Sequence, residues 1–139
     1  MRVSILVAAL AGVISLSAAP AMAQAPADLG KFSEACRGGE AFLLGQVPAG
    51  TDSAAILTPL CSCLTNAFKD MSQKDIDMLA ADLRGEGTDE AHQAHGSYDK
   101  LTELAREGLN NCFAEPDVAA AIKAAEPPPA APTAPAAPQ

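Results

Sequence analysis

The sequence predicts a small all-α bundle of four to five helices, stapled by two disulfides, between an N-terminal signal peptide and a disordered Pro/Ala-rich C-terminal tail. Three observations predict it. Apolar residues recur at helical spacing through the middle of the chain, and no segment alternates like a strand. The chain opens with an export leader. All four cysteines, Cys36, Cys61, Cys63 and Cys112, lie beyond that leader, and an even count in an oxidising compartment favours disulfides over free thiols.

The leader is residues 1–23. Arg2 supplies a positive charge, Val3 to Leu16 are an uninterrupted apolar run, and Ala21 and Ala23 carry the small-residue pattern that a signal peptidase reads. Cleavage after Ala23 is expected, leaving Gln24 first. The apolar run is shorter than the roughly 20 residues that span a bilayer, so no membrane span is expected in the mature form. The compartment expected is the bacterial periplasm or the medium. At the other end, residues 126–139 read EPPPAAPTAPAAPQ. Proline lacks an amide hydrogen and fixes φ, so this segment is expected to be an extended tail of polyproline type.

Residues 24–125 remain as one domain. A domain of this size is marginal on its own, since it buries only about 60–65% of its unfolded surface. The whole chain has four Phe, one Tyr and no Trp. Its core must therefore be largely Leu, Ile, Met and Ala, and covalent staples gain weight. Of the nine basic residues, Arg2 goes with the leader; the eight that remain face seventeen acidic ones, a mature charge of −9. Such a surface is repelled by phosphate backbones and anionic headgroups, which argues against a nucleic-acid partner.

The helices follow in order. The first is expected to start near Asp28, with Leu29, Phe32 and Cys36 on one face, and to break at Gly38-Gly39. "EAFLLG" resumes as a second helical piece or a buried turn, ending at Gly45. The residues 51–57, "TDSAAIL", fit either an extra turn or a loop. The next helix is expected to begin with Thr58 as cap and Pro59 in the first turn, carrying Leu60, Leu64, Ala67, Phe68 and Met71. Then Ser72 and Asp75 have capping-box spacing, Met71 and Ile76 sit as a hydrophobic staple, and Gly85 is placed to end that helix in a left-handed conformation. A long helix capped by Thr88 is expected to run toward Phe113, with Gly96 a weak point and Ser97 an alternative start. A last short helix begins at Pro116.

The motif C-x-C at Cys61 and Cys63 is the most informative local feature. At 100° per residue the two side chains lie about 200° apart, on opposite flanks of the apolar stripe through Leu60, Leu64 and Phe68. They point away from one another, so a Cys61–Cys63 bridge is disfavoured. Each can instead reach a different neighbour. Cys36–Cys61 with Cys63–Cys112, and Cys36–Cys63 with Cys61–Cys112, both satisfy this reading. Two functional alternatives exist for the pair: a redox dithiol and a soft-metal site. Neither has an activating cation beside it.

Both histidines lie in "DEAHQAHGSYD". His92, His95 and Asp99 are expected to share the solvent-facing side of this helix at i, i+3 and i+7, where they could offer two imidazoles and a carboxylate to Zn²⁺, Cu²⁺ or Ni²⁺. An ordinary wet helix face explains the same pattern. Residues 85–91, GEGTDEA, lack the alternating acids of an EF-hand loop. No nucleophile elbow, phosphate loop, haem-attachment or zinc-protease motif is present. No catalytic residue and no cofactor are therefore assigned. The function expected is that of an exported, non-enzymatic binding or interaction protein of the cell envelope, its partner a protein or a small ligand. Metal binding and thiol–disulfide exchange are the alternatives.

Overall fold

The computed structural model describes residues 25–127, which form seven helices and no strand: α1 (Gly30–Gly38), α2 (Glu40–Leu43), α3 (Ser53–Ala67), α4 (Gln73–Leu83), α5 (Asp89–His95), α6 (Tyr98–Ala114) and α7 (Pro116–Ala125). The expected leader, residues 1–23, and all of the expected tail but residues 126–127 lie outside the described residues. The all-helical, twice-stapled fold is as expected. The helices outnumber the four to five expected: the piece after the expected break at Gly38-Gly39 is a helix of its own, and Gly96 divides the expected long fourth helix in two.

Helix α3 is the centre. Ile56, Leu57, Leu60, Cys61 and Leu64 are buried along it, with α1 packed on one side and α6 and α7 on others. Its start corrects the expectation of a Thr58 cap. Asp52 is the cap, its carboxylate accepting from Ala55 N at 3.2 Å. Pro59 therefore stands inside the helix, where it removes a backbone hydrogen bond at a cost of about 3 kcal/mol. The extra turn buries Ile56 and Leu57, each worth roughly 1.5–3 kcal/mol, which offsets that cost. Thr58 turns its hydroxyl back to Ala54 O at 2.9 Å, a mid-helix habit of Ser and Thr.

The two disulfides decide between the pairings left open by spacing. They are Cys36–Cys61 and Cys63–Cys112. The first ties α3 to α1 and is fully buried; the second ties the opposite flank of α3 to α6. The described residues hold no free cysteine.

Helix α4 follows its local signals. Ser72 accepts from Asp75 N at 3.2 Å, and Ile76, Leu79 and Ala80 face the core. Its end is a Schellman turn: Glu86 N donates to Ala81 O and Gly85 N to Asp82 O, both at 2.9 Å, with Gly85 at φ +71°. The expected long fourth helix is two helices. Gly96 adopts φ +79°, which closes α5 and lets Ser97 start α6. Pro116 opens α7, which buries Val118 and Ala125. No helix among the described residues is long and apolar enough to cross a membrane.

Candidate functional site: an apolar cleft with a polar rim

Five helices leave a cleft of about 210 Å³ between them. Phe32 of α1, with Leu64 and Phe68 at the end of α3, forms its floor. The two phenyl rings meet edge to face, centroids 5.5 Å apart. Leu79 and Leu83 of α4 form one wall, and Ala105 and Leu109 of α6 the other. Phe42 and Leu43 of α2 stand at the mouth. Phe42 is 66% exposed. Gly108 sets the depth of the floor: a Cβ there would stand 2.6 Å from the Phe68 ring. Only glycine lets α6 approach Phe68 so closely.

The polar rim is built by α4, α5 and α6. Asp82 faces the cleft from α4. Its Oδ2 accepts from the Tyr98 hydroxyl at 3.0 Å, and its Oδ1 lies 2.8 Å from His92 Nε2. The His92 and Tyr98 rings stack, 3.8 Å apart and 11° from parallel. Burial, and then the hydrogen bond to and charge of Asp82, push the Tyr98 phenol up to about 12, so it stays a donor at ordinary pH. Gly87 crosses directly over this group, where a Cβ would collide with Asp82 Oδ1. Thr102 and Arg106 continue the rim along α6. Among the described residues the ion pairs are Arg84–Glu86, His92–Asp82 and His95–Asp75; Arg106 belongs to none.

The structure does not bring the expected metal ligands together. Gly96 turns the chain between α5 and α6, so the i, i+3, i+7 register of His92, His95 and Asp99 is lost. His92 turns to Asp82. His95 is not solvent-facing: its side chain is 1% exposed, and Asp75 Oδ1 of α4 lies 3.0 Å from its Nε2. That contact is off the line of a ring N–H, so the buried nitrogen has an ionic neighbour but no aligned hydrogen bond. Asp99 is exposed at the start of α6. The described residues contain no cluster of three or more His, Cys, Asp or Glu arranged to hold a metal.

Ser97, His95 and Asp75 do have the composition of a catalytic triad. Ser97 Oγ lies 3.4 Å from His95 Nδ1, at the limit of a hydrogen bond. The imidazole is walled in on its other side, and Ser97 does not line the cleft. A working triad needs a short nucleophile–base bond beside a place for substrate. The cluster instead fastens α5 to α4, helped by Lys74 Nζ, which donates to His95 O at 2.7 Å. The C-x-C cysteines, each bonded to a distant partner, do not form one exchangeable pair.

No protein-family model matches this chain, and no curated protein or solved structure resembles it to a significant degree. The cleft was missed from sequence because each helix contributes only one to five of its residues. One signal was available. Tyr98, Thr102, Ala105 and Leu109 share a face of α6, with Arg106 at its edge.

Proposed function

We propose that this is an exported, non-enzymatic binding protein of the cell envelope, and that its ligand places an apolar group in the cleft. The single observation that carries this is a cleft of about 210 Å³ with aromatic and aliphatic walls and an exposed Phe42 at its mouth. A closed apolar cavity of about 150 Å³ takes up benzene, so the space suits a group somewhat larger. Ligand sites are commonly apolar concavities with a few placed polar groups, and the rim of Asp82, Tyr98, Thr102 and Arg106 has that form. The leader sequence and the two disulfides support export to an oxidising compartment.

Methyl NMR spectra of the mature protein titrated with toluene test this reading. Shifts are expected at Leu43, Leu64, Leu79, Leu83 and Leu109, weakened several-fold by Phe42→Ala. Unmoved methyl signals at saturating toluene would retire the cleft as a binding site. N-terminal sequencing of the protein from a periplasmic fraction tests export, with Gln24 the expected first residue.

A further inference from the structure

The charges around the cleft are unequally satisfied, and that inequality points to a ligand class. Asp82 already receives a donor on each oxygen, from His92 and from Tyr98. A cationic ligand would have to displace one of them. Arg106 lines the same cleft, is exposed, and makes no ion pair among the described residues. It stands eight residues from Tyr98 on α6, about 12 Å along the axis. The cleft thus offers an apolar floor and one cation whose planar guanidinium is free. Guanidinium matches carboxylate geometry with two parallel hydrogen bonds. Its aliphatic stem can lie along the Ala105–Leu109 wall while its head stays in water.

Resting on the cleft reading above, we propose that the ligand is a small amphipathic carboxylic acid, with its apolar body on Phe32, Phe68 and Leu79 and its carboxylate on Arg106. The volume sets a body of roughly six to ten heavy atoms, by comparison with the benzene-sized cavity of about 150 Å³. The acid is held by its charge and its shape, and no bond to it is made or broken.

The test compares octanoate, 1-octanol and octylamine, titrated against the mature protein by calorimetry and methyl NMR. Octanoate is expected to bind about tenfold or more tighter than octanol, as a charge-assisted pair implies. Arg106→Ala is expected to close that gap by weakening octanoate about tenfold while octanol, which loses only contact with the aliphatic stem, weakens far less, and Arg106→Lys is expected to restore part of it. Arg106 is exposed, so both variants should fold; circular dichroism checks this. Equal binding of octanoate and octanol, unmoved by Arg106→Ala, would overturn the acid while leaving the cleft intact. Tightest binding by octylamine would overturn it in favour of Asp82 as the anchor. No shift with any of the three would overturn the acid, and with no toluene shift the cleft reading as well.

Discussion

The two edges of the bundle are held by different physics. Around α3 the contacts are apolar and covalent: Cys36 and Cys61 are fully buried among Phe32, Leu57, Leu60 and Leu64, and a second bridge fixes α6 on the other flank. Along the α4–α5 edge the fastenings are polar. Asp75 and Lys74 of α4 hold His95, and Asp82 holds His92 and Tyr98. Bridges and apolar burial tolerate small changes of orientation, whereas hydrogen-bonded fastenings depend on the alignment of donor and acceptor. The cleft lies where the two regimes meet. Helix α6 is anchored near its end by Cys112 and near its start only by the Tyr98 hydroxyl bond and its packing.

Several variants sharpen or break this contrast. Replacing both cysteines of a bridge with serine should have the largest effect. The chain-entropy model gives about 4 kcal/mol for Cys63–Cys112, separated by 49 residues, and about 3.5 kcal/mol for Cys36–Cys61, separated by 25. Urea unfolding measures both; losses under 1 kcal/mol would place the covalent edge on a par with the polar one. His95→Ala should cost about 2 kcal/mol by emptying a buried site. Amide exchange should rise through α5 and leave α3 unchanged, whereas uniform acceleration would contradict a local latch.

Gly108→Ala should cost about 1 kcal/mol net. Crowding Phe68 costs roughly 1–3 kcal/mol, and alanine returns about 1 kcal/mol of helix preference. Thermal melts give the stability, and toluene affinity should fall because Phe68 is the floor of the cleft. Tyr98→Phe should be the mildest, about 1 kcal/mol at neutral pH. Its signature is in alkali. Folding raises the phenol from about 10 to about 12, so the folded state binds this proton more tightly. The stability linked to it is complete below pH 10 and is lost as pH climbs from 10 through 12. The phenylalanine variant should show a shallower decline across that window, and an identical slope would mean that neither burial nor Asp82 raises the phenol on folding.

What could be read in the sequence was local. Ser72, Asp75 and Gly85 mark both ends of α4 because caps are short-range chemistry. The opposed directions of Cys61 and Cys63 follow from helical rotation alone. The start of α3 was misplaced because Pro59 and Thr58 give a locally good helix start, while Ile56 and Leu57 are drawn in by burial against distant helices. The histidine face was misplaced for a related reason. A glycine inside a helical pattern can be carried through or can turn the chain, and at Gly96 the gain from sinking His95 against α4 accompanies the turn. Asp82, Phe42 and Arg106 lie far apart in sequence, and only the packing of α2, α4 and α6 makes them neighbours.

The connectivity of the bridges has one more consequence. The two covalent rings follow one another along the chain and do not overlap; Ser62 alone separates them. The polypeptide is drawn as a figure of eight, with its waist at C-x-C. Such a layout can be oxidised in the order in which it emerges from a ribosome or a translocation pore. The first lobe has both of its sulfurs once Cys61 appears, while the partner that Cys63 awaits is still being made. Order of synthesis therefore holds back Cys112 while the first ring closes, and the opposed directions of Cys61 and Cys63 on α3 select between the two thiols already present.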